Sequence, residues 1–321
     1  MSATIRIGTR GSRLALIQTN WIAARLREAH PGLEMTVEEF HTAGDRDRAT
    51  PLAWMPGVGF FVKELEVGLL DGRIDLAIHS LKDVPTAAPD GLAVATAVPP
   101  REDPRDCLVT TEGLHLDQLP PGAMVGSSSP RRRAMLLAAR PDLAFMDLRG
   151  NVETRLRKLD ECLCQATILA RAGLARLGML DRRMVVIQTD VLLPAAGQGA
   201  LGLEFRADDA GVRQAVAALD HPPTRWAVTA ERALVRRMGA GCQTPLGVLA
   251  HVDAAGQLVL EARLLAPHGR EGLARSATGA TPEAETLGTG LAEELLAAGA
   301  ARFLKSALTD TDAAQDGAGD A

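Results

Sequence analysis

Hydrophobic residues recur along the first half of the chain with two alternating spacings. Residues 4–8 form a short apolar run that is typical of a buried strand, and Leu14, Ile17 and Ile22 then follow at helical spacing. The same succession of strand, polar loop and helix repeats, with strands predicted over 74–78, 123–126, 144–148 and 167–170 and helices over 60–70 and from residues 130 and 151 onward. Strands that alternate with helices are typical of parallel sheets covered by helices on both faces.

Two stretches rich in proline and glycine interrupt this pattern, at 98–104 and 193–200, and both indicate hinges between structural units. A third break at 221–223 opens a different C-terminal pattern. That pattern predicts a helix over 224–238, strands near 247–253 and 258–265, and a helix near 282–299. The last residues, 307–321, are expected to form a disordered tail. The whole pattern therefore predicts an α/β protein with a smaller C-terminal α+β unit.

Length and composition restrict the class of protein. A chain of 321 residues with 46% hydrophobic and 23% charged residues is long enough for two or three ordinary globular domains. No apolar run reaches the roughly 18 residues that cross a bilayer, and the first strand leaves no room for a signal peptide. We therefore expect a cytoplasmic protein that does not bind membranes. A net charge of −5 and 3% aromatic residues argue against the alternative of a nucleic-acid module built on Arg131–Arg133.

Four cysteines are scattered through the chain, at positions 107, 162, 164 and 242. Their spacing does not match a zinc site, and we predict neither a bound metal nor a disulfide. Cys242 differs from the other three because Gly239, Ala240 and Gly241 precede it. Small neighbours leave room around its sulfur for a bulky attached group. A buried thiol in a tight turn is the simpler interpretation of the same residues.

Polar loops that follow the predicted strands carry candidate anion-binding residues. Ser127–Ser129 and Pro130 precede a predicted helix whose first turn contains Arg131 and Arg132. Free N–H groups at a helix N-terminus and forked guanidinium donors both suit carboxylates or phosphates. Helix capping alone would also explain the serines, and a solvated helix face would explain an arginine.

Similar residues follow other predicted strands, namely Arg10, Ser12, Arg149, Arg155, Arg171 and Arg176. Because ligands of open α/β sheets bind at the carboxyl ends of strands, these loops predict a cleft for a ligand with several negative groups. The alternative is a set of unrelated surface arginines. Lys82 and Asp83 follow the strand at 74–78, and an extended segment would point them to opposite sides. His79 is expected to be a packed residue rather than a ligand.

Several long motifs follow one another along the chain. They are Thr9–Ser12, Phe61–Glu66, His79–Pro85, Arg101–Asp106, Leu148–Val152, Pro194–Ala200 and Gly241–Pro245. Together they resemble the porphobilinogen deaminase family, also called hydroxymethylbilane synthases, over about residues 4–305. The resemblance implies two doubly wound, periplasmic-binding-protein-like domains joined by a hinge, and a small C-terminal α+β domain. The implied boundaries are 1–99 with 200–218 for domain 1, 104–194 for domain 2 and 222–306 for domain 3.

The resemblance also implies a transferase of tetrapyrrole and haem biosynthesis. In this family a cysteine, here Cys242, holds a dipyrromethane cofactor through a thioether. Four porphobilinogen molecules are deaminated and joined head to tail onto that primer, and water then releases hydroxymethylbilane. Asp83 is the implied catalytic carboxylate, which stabilises the cationic intermediate and moves protons.

The remaining site residues implied by the resemblance bind carboxylates. Those expected to hold the cofactor are Lys82, Ser127, Ser129, Arg131 and Arg132. Those expected to face the substrate's acid groups are Arg10, Ser12, Arg149 and Arg155. Arg176 is expected to lie along the path of the growing linear polypyrrole. We expect a monomer with no nucleic-acid partner.

One alternative function stays open, a non-enzymatic two-lobed anion-binding protein with the same hinge-linked design. The missing signal peptide and the pairing of Cys242 with Asp83 argue against it. The chain also departs from the family at Val58, where members usually have lysine, and at Trp54, where some do. The resemblance therefore leaves open how this loop meets substrate carboxylates.

Overall fold

A computed structural model describes residues 4–40, 62–181, 183–241 and 243–304. Cys242, Trp54 and Val58 lie outside the described residues, as does the tail predicted to be disordered. Within the described ranges, no helix combines the length and the apolar character needed to cross a membrane.

Helices and strands alternate along most of the described chain. The helices are α1 (Arg13–Ala29), α2 (Lys63–Leu70), α3 (Pro130–Ala139), α4 (Val152–Asp160), α5 (Arg171–Arg176), α6 (Ala210–Ala217), α7 (Pro222–Met238) and α8 (Ala284–Ala297). The strands are β1 (Thr4–Arg10), β2 (Glu34–Phe40), β3 (Leu76–Ser80), β4 (Leu92–Val94), β5 (Asp106–Val109), β6 (Met124–Gly126), β7 (Ala144–Met146), β8 (Ala166–Ala170), β9 (Met184–Val186), β10 (Leu201–Arg206), β11 (Leu246–Val252), β12 (Gln257–Leu265) and β13 (Gly272–Ala280).

The first sheet has the strand order β2-β1-β3-β10-β4. Side chains of β3 alternate between its two faces, as the period of a strand requires. Leu76 and Ile78 pack in one core with residues of α1 and α6, whereas Ala77 packs in a second core with residues of α2. Helices therefore cover both faces of the sheet, and the loops at the strand ends stay uncovered by them.

The second sheet repeats this arrangement with the order β7-β6-β8-β5-β9. Ile168 packs in a core with residues of α3, and the next residue, Leu169, packs in a separate core with residues of α4 and α5. Two doubly wound α/β sheets are thus present, and the predicted fold class is confirmed.

Both sheets are mixed, which corrects the expectation of purely parallel sheets. β1 is parallel to β2 and β3, and β6 is parallel to β7 and β8. β10, however, is antiparallel to β3 and β4, and β5 is antiparallel to β8 and β9. β5 and β10 are the first strands after the two hinge stretches, so each antiparallel strand enters its sheet directly from a hinge.

The C-terminal unit is an antiparallel sheet, β11-β12-β13, packed against α7 and α8. Alternate residues of β12, Leu258, Leu260 and Leu264, are fully buried under the helices. The two helices approach closely at Gly288, where an added Cβ would lie 2.2 Å from the Ala230 carbonyl oxygen. Glycine at this position therefore sets the distance between the helices.

The two hinge stretches contact each other directly. Glu102 N–H donates to the Gly199 carbonyl at 3.2 Å. Gly199 has a φ of 87°, and an added Cβ there would lie 2.4 Å from the Glu102 carbonyl oxygen. Arg101 also forms a buried two-pronged ion pair with Glu231 of α7, at 2.7 and 3.2 Å. The ion pair thus connects the first hinge stretch to the C-terminal unit.

Candidate functional site

The carboxyl ends of β1 and β3 open into a cavity of about 120 Å³. Its polar lining includes Arg10, Ser12, Gln18, Lys82 and Asp83. Ser12 is the N-cap of α1 and accepts the Ala15 N–H at 3.3 Å, so capping is sufficient to explain its hydroxyl. The start of α1 nevertheless lies at the cavity wall, where helix N–H groups favour anions.

Asp83 and Lys82 lie in a single turn of 3₁₀ helix, Leu81–Asp83, directly after β3. The segment is therefore not extended, and the expectation that the two side chains point to opposite sides is wrong. Both line the same cavity. The turn is fixed by the buried Leu81, whose N–H donates to the Ala200 carbonyl at 3.0 Å. The second hinge therefore positions the turn that carries both groups.

The Lys82 ammonium donates to Oε1 of Gln198 at 3.3 Å. Burial lowers the pKa of Lys82 to about 8, and the charge of neighbouring Asp83 only partly opposes this effect. Gln198 is itself buried, and its amide donates to Asp106 at 3.0 Å and to the Pro104 carbonyl at 2.6 Å. One hinge residue thus connects the lysine of the first sheet to β5 of the second sheet.

Asp106 is fully buried and binds both arginines predicted to hold the cofactor. Its carboxylate accepts from Arg131 at 2.9 Å and from Arg132 at 2.7 Å. Burial alone would raise the pKa of Asp106, but the two guanidiniums, Arg132 first, hold it well below its usual range. Asp106 and Gln198 were not predicted as site residues, although both lie within motifs that carry the family resemblance.

The serine loop before α3 is built mainly by capping. Ser129 is the N-cap of α3, and Ser127 Oγ accepts the Ser129 N–H at 3.3 Å. Two buried polar atoms beside this loop have no hydrogen-bond partner among the described residues, Oγ of Ser128 and Nε of Arg132. Buried polar atoms are rarely left unsatisfied, so these two atoms call for a polar partner that the described residues do not supply.

Arg149 and Arg155 follow β7, an edge strand of the second sheet. Arg149 lies in the loop after this strand, and Arg155 lies in α4. Arg155 Nε donates to the Gly150 carbonyl at 2.8 Å. Burial and then the nearby charge of Arg132 lower the pKa of Arg155 to about 10, whereas the charge of Asp83 acts in the opposite direction. The Asp83 carboxylate is therefore near enough to act on the charge of Arg155. Arg149 contributes to the same positive field.

Arg176 lies at the end of α5 and binds the hinge. Its Nη2 donates to the Gly199 carbonyl at 2.6 Å, and burial lowers the pKa of its guanidinium. Arg171, in contrast, pairs with Asp103 at 3.5 Å. His79 is buried and bonded to Glu204 at 2.9 Å, so it is the packed residue that the sequence predicted.

The residues on either side of Cys242 form a defined loop. Gly239 ends α7 in the left-handed conformation, and the Gly241 N–H donates to Thr244 Oγ1 at 3.2 Å. An added Cβ at Gly241 would meet no atom of the described structure within 4 Å. Among the residues that the structure describes, nothing therefore crowds the position before the cysteine. Across the described ranges, His, Cys, Asp and Glu form no group of three or more that could hold a metal ion.

Known proteins are similar to almost the whole chain. A family model described as porphobilinogen deaminase, dipyromethane cofactor binding domain, matches residues 5–214, and one described as porphobilinogen deaminase, C-terminal domain, matches residues 226–297. The curated porphobilinogen deaminase of Syntrophotalea carbinolica is 48% identical over 304 residues, which cover 94% of this chain and 96% of the relative. That of Desulforudis audaxviator is 47% identical and covers 95% and 98%. Among solved structures, the BvgS VFT2 domain of Bordetella pertussis is 12% identical with a TM-score of 0.42, covering 67% of this chain and 86% of that domain.

Proposed function

The chain belongs to the porphobilinogen deaminase family, the hydroxymethylbilane synthases that use a dipyrromethane cofactor, and we propose that it joins four porphobilinogen molecules head to tail and releases hydroxymethylbilane. The observation that carries this proposal is the carboxylate of Asp83 in a cavity where the other charged side chains of the described lining, Arg10 and Lys82, are cationic. Each porphobilinogen carries two carboxylates, so a growing chain accumulates negative charge. A surplus of arginine and lysine in the cleft matches that requirement.

The residues of the cleft fit a cofactor that carries carboxylates. The unsatisfied Nε of Arg132 and Oγ of Ser128 are donors that a bound carboxylate would satisfy. The residues that would hold the cofactor are Lys82, Ser127, Ser129, Arg131 and Arg132, with Cys242 as the covalent anchor. When bound, dipyrromethane supplies a pyrrole with a free α-carbon, which is the nucleophile for chain growth.

Asp83 would act on the charge that develops on the substrate. When ammonia leaves porphobilinogen, the remaining methylene-pyrrole is cationic, and a nearby carboxylate stabilises it. The same oxygens can accept a pyrrole N–H and take up the proton that the attacking pyrrole loses from its α-carbon. The turn Leu81–Asp83 is bonded to the second hinge through Leu81, so the carboxylate is held before substrate arrives.

The substrate's acetate and propionate would bind Arg10, Ser12, Arg149 and Arg155. Arg155 uses Nε for the Gly150 carbonyl, and its terminal nitrogens carry four further N–H donors for a carboxylate. Arg176 would meet the polypyrrole as it lengthens. Its bond to the Gly199 carbonyl places it beside the hinge. Burial of its charge, which Glu102 only partly offsets, favours a further anionic partner.

Replacing Asp83 by asparagine tests the proposal. We expect Asp83→Asn to fold normally and to consume porphobilinogen on the order of a hundredfold to a thousandfold more slowly, as when an enzyme loses one preorganised electrostatic group. Asp90→Asn is the matched control, because Asp90 is an exposed carboxylate on the segment that follows the same turn. The assay measures porphobilinogen loss and ammonia release, with four ammonia molecules expected for each hydroxymethylbilane.

Two results would contradict the proposal. Near-normal turnover by Asp83→Asn would exclude the role given to this carboxylate. Wild-type protein that binds porphobilinogen without consuming it would instead favour the anion-binding alternative.

A further inference from the structure

Arg232 lies in the middle of α7 and bonds to the main chain that follows the turn of Asp83. Its Nη1 donates to the Val84 carbonyl at 3.0 Å, and its Nη2 donates to the Pro85 carbonyl at 2.7 Å. Val84 directly follows Asp83, and its own N–H closes the turn by donating to the Leu81 carbonyl at 3.1 Å. The guanidinium therefore binds two successive carbonyls immediately after the proposed catalytic carboxylate.

The packing around these bonds makes α7 a support for the turn Leu81–Asp83. Val228, one helical turn before Arg232, is buried in a core that also contains Leu81 and Val84. Ala200 of the second hinge is a buried member of the same core. The apolar contact and the two hydrogen bonds thus act on the same short segment from the same helix.

Arg232 has an unusual environment for a half-buried cation. Within the described part of the chain, it makes no ion pair with a carboxylate, and its bonds go to main-chain oxygens. Burial and then the charge of Arg236 lower its pKa to about 10, whereas the charge of Glu204, which makes no ion pair with Arg232 among the described residues, acts in the opposite direction. A half-buried guanidinium without a carboxylate partner is unfavourable for stability alone, because desolvation of the charge is only partly compensated.

We infer that Arg232 is a positioning residue for Asp83, an inference that rests on the proposed function. It does not touch the carboxylate but fixes the main chain from which the carboxylate projects. The same helix ends at Gly239, three residues before Cys242. From Arg232 to Gly239 the helix rises about 10 Å. α7 thus supports the turn that carries Asp83 through Arg232, and its C-terminal end leads along the sequence to the proposed anchor.

The test replaces the guanidinium by an apolar side chain of similar length. We expect Arg232→Met to lower kcat for porphobilinogen consumption about tenfold to a hundredfold, the range for a reacting group displaced by about 1 Å. KM should change less than about twofold, because the substrate's carboxylates bind other residues. Arg232→Lys, which can still donate to a carbonyl, should recover part of the lost kcat.

Arg236→Met is the matched control. Arg236 lies one turn further along α7, is exposed and pairs with Glu285 of α8, so the same substitution there leaves the turn of Asp83 untouched. Hydrogen exchange of the amides in 81–88 provides a readout without substrate. It should accelerate in Arg232→Met and stay at the wild-type rate in Arg236→Met.

The outcomes separate this inference from the proposed function. Unchanged exchange in 81–88, or equal kcat in Arg232→Met and Arg236→Met, would overturn the positioning role. Faster exchange in Arg232→Met together with an inactive wild-type protein would leave the main-chain support intact and overturn the proposed function.

Discussion

Replacing Asp106 by asparagine would remove the negative charge at the centre of the buried cluster that holds Arg131 and Arg132. The carboxylate contacts the two guanidiniums at 2.9 and 2.7 Å and is fully buried. With charge centres about 4 Å apart and an effective dielectric constant of about 20, each pair contributes about 4 kcal/mol of attraction. The desolvation of Asp106 offsets part of this sum, and breaking a buried ion pair on one side typically destabilises a protein by about 3–5 kcal/mol.

We therefore predict that Asp106→Asn lowers the free energy of unfolding by about 3–5 kcal/mol, measured by urea denaturation. Asparagine keeps the shape and one acceptor oxygen, so the loss reports on charge rather than on a cavity. Asp142→Asn is the control, because Asp142 pairs with Arg140 at 2.7 Å on the surface, where we expect little change. A loss below about 1 kcal/mol in Asp106→Asn, the range of exposed pairs, would show that the Asp106 charge does not stabilise the buried arginines.

Two further predictions concern Lys82 and Gly199. In cofactor-free Cys242→Ser protein, burial should make Lys82 titrate near pH 8, so that its side chain is charged below that pH and neutral above it. In the cofactor-bearing protein, bound carboxylates should raise the pKa of Lys82. NMR titration of the labelled lysine side chains checks this, with Lys82→Arg as the assignment control, and a Lys82 signal that titrates at the ordinary lysine value would contradict it. Gly199→Ala should reduce the free energy of unfolding more than Gly32→Ala, because both positions have positive φ but only Gly199 would also clash with the Glu102 carbonyl. If urea denaturation shows equal losses of unfolding free energy in the two variants, contact with the Glu102 carbonyl is not what requires glycine at position 199.

The fold class could be predicted because helical and strand spacings alternate clearly along the chain. The direction of β5 and β10 could not be predicted. Both strands run antiparallel to their neighbours because the chain enters each sheet directly from a hinge, which the hydrophobic spacing does not reveal. β2 was not predicted, since most of its residues are exposed and the alternation of Met35 and Val37 with polar residues stops at two successive glutamates, 38 and 39.

The candidate site was predictable where local sequence carries the chemistry, as at Asp83 and in the Ser-Ser-Ser-Pro-Arg run. Asp106 was not, because its partners lie 25 and 26 residues away and its role depends on burial. The prediction that Lys82 and Asp83 point to opposite sides was wrong, because a 3₁₀ turn replaces the extended segment. Gln198 acts through contacts to both sheets, which no local spacing reveals.

The proposed roles depend on a cofactor attached at Cys242, and the intact mass of the purified protein tests that attachment directly. We predict that wild-type protein is heavier than its sequence by two linked pyrrole units and that Cys242→Ser has the mass of the bare chain. Brief incubation with porphobilinogen should then add further pyrrole units to the wild type alone. A wild-type mass equal to that of the bare sequence, in protein that still consumes porphobilinogen, would contradict the account.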